Sequence, residues 1–385
     1  MKSKTRILAS VLALLLVFSM VLTACSSGTN NAATTPTAVL TSGTEAPAAA
    51  ATPDAATPDA ATPAAETTTD TPKTLKKIQL VKGTGLCGIP TLIAYENGYF
   101  ADEGYDVELI TADSDTRKIS LDNGTLPLAN WDYAYFPSIE NGVGIKVVDG
   151  LHRGCITIVV LEDSPVHEAA DLAGKKIAIE ELGSTEHQVA QVWLETNGVK
   201  VNKGQSAVKD DEVEFIPYGD GNLELEAARK GEVDAVAIWD PIGAQALEDG
   251  FRKIFDLYDT PPFDGRYCCF LMASEKILNE DPEQIASLLR AYHSAQNWIN
   301  ENPEAAAQLV IDKKYINVDD VALAVKLIKN YNYPTYADRA AGTAGVYEDV
   351  VYFSEKLIEL GYLTSSTDPK VIADKLYAEV ATNDY

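Results

Sequence analysis

The sequence predicts a two-lobed α/β protein, and three observations carry that expectation. Strands and helices alternate along most of the chain, one complete α/β block is inserted inside another, and the residues from 75 to 385 are too many for one ordinary core. Apolar patterning places strands at 77–82 and 107–111 around an amphipathic segment at 91–101, then strands at 145–148 and 155–161. Further strands at 176–179, 214–217 and 235–238 are each followed by a helical pattern, at 185–197, 222–230 and 241–249. After a strand at 266–273 the pattern turns helical, with segments at 282–300, 303–313, 318–330, 346–360 and 369–380 that carry Pro or Asp near their starts. The block at 165–258 is entered once and left once, which implies a hinge of two crossings. Ligands in open parallel sheets sit beyond the carboxyl ends of the strands, so the turns there are the first places to look for a site.

The N-terminus reads as an address. Lys2, Lys4 and Arg6 precede an apolar run at 7–21, and Leu22-Thr23-Ala24-Cys25 closes it, the anatomy of a bacterial lipoprotein signal over 1–25. The run is shorter than the roughly 20 residues a bilayer-spanning helix needs. Cleavage before Cys25 leaves a first residue for lipidation and a membrane anchor on the extracytoplasmic face. From 26 to 74 the chain is rich in Ala, Thr, Pro and Ser with few large apolar residues, the composition of a disordered tether.

The chain carries 57 Asp plus Glu against 31 Lys plus Arg, a formal net charge of −26. Nucleic acid is excluded as a partner by this sign, since phosphate binding needs the opposite one.

Several side chains stand where a ligand would meet them. Trp131, in Asn130-Trp131-Asp132-Tyr133-Ala134-Tyr135-Phe136, either offers a face to a flat solute or fills a core. Glu140, a turn further on, either answers an amine-bearing ligand or is a solvated surface glutamate. His152 lies between Gly150 and Gly154 at a strand junction, as a ligand contact or as a structural histidine bonded to backbone. Cys87, Cys155, Cys268 and Cys269 sit in or at the ends of strands and are expected along one wall of the cleft. They pair as a disulfide, ligate a soft metal with His152, or are small buried thiols. Gly183, Ser184 and Thr185 follow the strand at 176–179. There Ser184 or Thr185 caps the next helix and leaves backbone N–H groups free for an anionic or electron-rich group. Trp239 and Asp240 follow the strand at 235–238, as a site half or, for Asp240, as a cap.

The stretch 88–100 (GIPTLIAYENGYF), the run Asp171-Leu172-Ala173-Gly174-Lys175-Lys176, Gly231-Glu232-Val233-Asp234-Ala235, Trp239-Asp240-Pro241 and Asn302-Pro303-Glu304 resemble, in order and spacing, the nitrate, sulfonate, taurine and bicarbonate family of ABC-transporter substrate-binding proteins. That family is related to binders of thiamine-pyrimidine precursors. The resemblance implies a type II periplasmic-binding-protein fold, with lobe one at 75–164 and 265–385, lobe two at 165–264, and a ligand cleft between them. It implies a non-enzymatic monomer without cofactor or metal that hands a small solute to permease and ATPase subunits. Cys87 and Gly88 occupy the loop where the family's anion binders hold their ligand, and no anion-clamping arginine stands there. The alternative readings are a sensor lipoprotein of the same fold, or an iron-dependent enzyme like the pyrimidine-precursor synthases. Of the cysteine run in those synthases, Cys268-Cys269-Phe270 retains only part.

Overall fold

The computed structural model describes residues 74–83, 85–203, 208–342, 344–364 and 366–385. The expected signal at 1–25 with Cys25, and the tether at 26–74 save its last residue, lie outside the described residues. Among the described residues no helix is long and apolar enough to cross a membrane.

Eleven strands are described, and they fall into three sheets. β1 (Lys76–Val81) pairs in parallel with β2 (Tyr105–Ile110). β3 (Leu128–Asp132) and β4 (Ile145–Arg153) flank β11 (Tyr267–Ser274) in an antiparallel trio. The remaining six are β5 (Ile156–Leu161), β6 (Lys176–Ile179), β7 (Lys200–Val201), β8 (Glu212–Pro217), β9 (Ala235–Trp239) and β10 (Phe251–Asp256). They form one sheet in the order β10-β5-β9-β6-β8-β7. β6, β7, β8 and β9 are parallel, as the strand-helix alternation requires, while β5 and β10 join antiparallel at one side.

This sheet membership moves the lobe boundary read from sequence. β5 was expected in lobe one, yet it pairs with β9 and β10, so the chain crosses between sheets at Gly154 and Cys155 and not at 164/165. The reason lies in composition: Ile-Thr-Ile-Val-Val-Leu is buried nearly throughout, and such a run fits the centre of either sheet. The return crossing lies at 257–266, between β10 and β11.

The C-terminal helices form where expected because their caps and stripes agree. In the helix Pro282–Glu301, Asp281 accepts from the N–H of Gln284, Pro282 occupies the first turn, and Ile285, Leu288, Leu289, Tyr292 and Ala295 repeat at helical spacing and are buried. The segment at 91–101 is instead two helices, Ile89–Glu96 and Tyr99–Asp102, separated by Gly98 at φ +80°. The last turn expected at 377–380 is extended after Leu376.

The two sheets meet through side chains as well as through the crossings. Tyr362, in the C-terminal part of the chain, donates to Gln191 Oε1 at 3.0 Å, and Gln191 lies on the helix Thr185–Thr196 that follows β6.

Candidate functional site

A cavity of about 690 Å³ opens between these two parts of the molecule. One wall comes from the end of β3 and the start of the helix Ser114–Asn123, with Trp131, Asp132 and Tyr135. The facing wall is the turn after β6, from Glu180 to Thr185, together with Trp239 at the end of β9. The strand-end rule thus places the cavity where the sheets were expected to offer it.

Of the sequence-predicted residues, Trp131, Gly183, Ser184, Thr185 and Trp239 line this cavity. Cys87, Gly88, Glu140, His152, Cys155, Asp240 and Cys268 do not. Glu140 is held elsewhere, accepting from the N–H of Thr364 at 3.1 Å. Gly88 packs against Gly83 so closely that a Cβ on either would strike the other's Cα, which makes the Cys87 loop a tight glycine-closed turn. Asp240 donates its N–H to the Cys155 carbonyl at 2.8 Å, and loss of water around its carboxyl pushes the pKa up to about 7.

The indole of Trp131 is half-buried and packs against Tyr135 at 4.8 Å between ring centroids. Behind it, the buried Arg117 guanidinium lies 4.1 Å from the ring centroid. Trp239 is fixed from the other wall by a hydrogen bond from Nε1 to the Glu180 carboxylate at 3.0 Å.

The polar lining is dominated by carboxyl groups. Asp113, Asp115, Asp132, Glu180 and Glu181 face a single lining lysine, Lys118. Burial pushes Asp132 up to about 7, with the Cys269 sulfur adding to the rise and hydrogen bonds from Thr185 and Ala134 only partly offsetting it. Directly behind the turn, burial pushes Glu186 up to about 8 and Glu224 likewise, and raises Glu180.

The helix start expected to welcome an anion stands beside a buried acid. Ser184 holds the capping position, yet its hydroxyl donates to the Glu181 carbonyl at 2.7 Å and to the Glu186 carboxylate, not to the helix. Glu186 also accepts from the N–H of Glu180 at 3.2 Å and from its own backbone. The first turn therefore carries its own buried acid, which opposes an anionic solute there. Asp132, Tyr135, Glu180 and Glu186 were missed from sequence. For Glu180 the signal was present, because it directly follows the β6 carboxyl end.

The cysteines gather at a second place. The ligand atoms of Cys87, His152, Cys155 and Cys269 all lie within 4.8 Å of one another, and Cys268 Sγ stands 3.2 Å from Cys155 Sγ. All four described cysteines are free thiols. The cysteines thus gather in a cluster outside the cavity lining, buried except for the partly buried Cys87: β11 is the middle strand of its sheet, and the ring of Tyr331 stacks on His152 at 4.7 Å. The thiols of Cys155, Cys268 and Cys87 hydrogen-bond to Cys269 and hold it well below the ordinary thiol range.

The NMT1/THI5-like family model matches residues 88–306, more than half of the chain and both sheets of the cavity. The chain belongs to that family. Among curated relatives of this NMT1/THI5-like chain is a formylaminopyrimidine-binding protein of Halalkalibacterium halodurans, 24% identical over 57% of this chain and 64% of the relative. The nitrate/nitrite binding protein NrtA of Nostoc is 23% identical over 75% of this chain and 72% of the relative. The matches to the formylaminopyrimidine-binding protein and to putative binding proteins of Brucella span less than two thirds of those relatives' lengths. Solved structures of similar fold include the periplasmic aliphatic sulphonate binding protein SsuA of Escherichia coli, with TM-score 0.59, 17% identity, and coverage of 78% of this chain and 97% of that one. The periplasmic nitrate-binding protein NrtA of Synechocystis PCC 6803 gives TM-score 0.60 and 18% identity over 80% and 86%. At these identities the structural likeness establishes the periplasmic-binding-protein fold.

Proposed function

We propose that this NMT1/THI5-like chain is the extracytoplasmic solute-binding subunit of an ABC importer, tethered to the membrane through Cys25 and passing a small solute to permease and ATPase subunits. The observation that carries the reading is the cavity itself, lined from two α/β sheets that the chain crosses between twice. A solute touching both walls favours the closed arrangement by its differential affinity for that state. The relatives named as binding proteins for nitrate, sulfonates and formylaminopyrimidine support the class. So does the lipoprotein signal in the sequence, which supplies the membrane address.

The ligand class follows from the lining. Five carboxyl groups against one lysine offer nitrate or a sulfonate a single cation, whereas a flat, amine-bearing solute finds acceptors for its N–H groups and aromatic faces at Trp131 and Trp239. We infer a nitrogen-rich heterocycle or aromatic amine, neutral or cationic.

Mass spectrometry of the gently released protein under non-denaturing conditions identifies what co-purifies, and calorimetry then compares that solute with nitrate and alkanesulfonates. The expected result is an amine-bearing solute that binds and anions that do not. Tight sulfonate binding with no amine binding overturns the ligand class. A small-angle scattering profile unchanged at saturation overturns the cleft-closing reading.

A further inference from the structure

We propose that Cys87, His152, Cys155 and Cys269 form a binding site for one thiophilic divalent metal ion of the zinc type, apart from the solute cavity. The inference goes beyond the solute-binding reading and does not rest on it.

The four donors come from separate segments that the fold brings together. Cys87 sits in the one-turn helix Leu86–Gly88 after β1, His152 near the end of β4, Cys155 at the first crossing, and Cys269 in β11. Register pairs Cys269 with His152 across β11 and β4, so those two donors are adjacent by strand pairing. Cys155 follows Gly154, and both have positive φ, +74° and +115°. A residue with a Cβ seldom adopts that conformation, and here it turns the crossing at the cluster.

The donor set suits a soft ion better than it suits a core. Zinc–sulfur bonds of about 2.3 Å and zinc–nitrogen bonds of about 2.0 Å put tetrahedral donors about 3.5–3.8 Å apart. The four ligand atoms are already within 4.8 Å of one another, so a small contraction around an ion completes the shell. His152 is fully buried, and its Nε2 has no hydrogen-bond partner among the described residues, a polar atom that apolar packing would leave unsatisfied. Three sulfurs with one imidazole select zinc and its surrogates over magnesium or calcium. Four protein ligands make a closed shell, the arrangement of structural zinc sites. Binding displaces the remaining thiol protons to solvent, and the ion then joins the Cys87 loop, the β4–β5 crossing and β11 by coordinate bonds. Cys268 stands beside the shell, its sulfur 3.2 Å from Cys155 Sγ and 3.7 Å from His152 Nδ1, and its thiol is turned to the Gly154 carbonyl as donor.

The test uses the detergent-solubilised full chain, reduced, stripped with chelator and handled without oxygen, with cobalt(II) alone as the probe and zinc(II) as competitor. One equivalent of cobalt is expected to bind with thiolate-to-cobalt charge-transfer absorption and tetrahedral visible bands, and zinc is expected to bleach them. Replacement of one donor, Cys155→Ser, Cys269→Ser or His152→Ala, is expected to weaken cobalt binding by about tenfold or more, an effect at least as large as losing an outer-shell partner. Cys268→Ser should keep the full charge-transfer intensity. Absence of the charge-transfer band in the parent chain, with all four thiols reduced by titration, overturns the site and needs no variant. A Cys268→Ser variant that loses the band while Cys87→Ser keeps it overturns this ligand set.

Discussion

The Arg117 guanidinium lies over the Trp131 indole at 4.1 Å, and its nitrogens donate to the carbonyls of Asn130 at 3.0 Å and Ala112 at 3.3 Å. The cation thus stiffens the aromatic wall from behind while its hydrogen bonds go to backbone, so it is not presented to the solute as a clamp. Trp131→Ala is expected to weaken binding of the co-purified solute by about tenfold to thirtyfold, the loss of one aromatic contact of about 1.5–2 kcal/mol. Trp131→Phe should fall between. Calorimetry on both variants checks this, and equal affinity for Trp131→Ala and the parent removes the ring from the site.

Ser184 supplies the second prediction, because its hydroxyl is a donor to Glu186 where a helix cap was expected. Ser184→Asp would be harmless at an ordinary N-cap. Here it sets a second carboxyl group beside a buried one and removes a donor, at a cost of about 2 kcal/mol, which lowers the melting temperature by about 5 °C. Ser184→Ala should cost less, since it removes the hydrogen bond without adding charge. A Ser184→Asp variant as stable as the parent restores the capping role.

These two residues mark how far the sequence is legible. The alternation of strands and helices, the C-terminal helices and the Trp131, 183–185 and Trp239 walls follow from period and strand-end rules, because each depends on local pattern. The sheet that β5 joins does not, since an all-apolar strand carries no label for its partner. Nor does the fate of Ser184, whose hydroxyl had a competing acceptor only once Glu186 was buried. The cysteines show the same limit: 87, 155 and 268–269 are far apart in sequence, and strand pairing, the turn after β1 and the crossing at Gly154 and Cys155 together bring them to one point.

A buried ion network braces the sheet that carries β3 and the cysteine cluster. Asp149 on β4 accepts from Arg339 at 2.8 Å and from His293 at 2.7 Å, and His293 in turn meets Asp384 at 2.8 Å. The Arg339 guanidinium, followed by the His293 hydrogen bond and charge, overcomes the burial of Asp149 and holds its carboxyl well below the usual carboxylate range. Removing Arg339 takes the guanidinium from the buried Asp149 carboxylate, so Arg339→Met is expected to destabilise the protein by about 3–5 kcal/mol. Denaturant unfolding checks this. A loss below about 1 kcal/mol would mean that His293 alone satisfies Asp149.

The buried acids behind the cavity give the last prediction, a stability that falls from neutral to mildly alkaline pH. Glu186 has an ordinary value of 4.5 and is pushed up to about 8 by burial, with Glu180 adding repulsion and Ser184 opposing. The folded protein therefore holds a proton that the unfolded chain has already released. This contribution is fully present below about 4.5 and is lost as pH rises through about 8. Glu224 at about 8 and Asp132 at about 7 act in the same direction. His187, next to Glu186, works the other way. Burial lowers it from 6.5 to about 4 and its Nδ1 accepts the Gly183 N–H at 2.8 Å, so it favours folding more as pH rises toward 6.5 and adds nothing above that. Between pH 6.5 and 8 each of these acids is worth at most about 1.4 kcal/mol per pH unit. The melting temperature of the solute-free protein is thus expected to decline across that window, and Glu186→Gln, which keeps the shape and stays neutral, should flatten the decline. A parent profile already flat from pH 6.5 to 8 would mean that Glu186 is ionised in the folded protein and that the turn from Glu180 to Thr185 carries a full negative charge toward the solute.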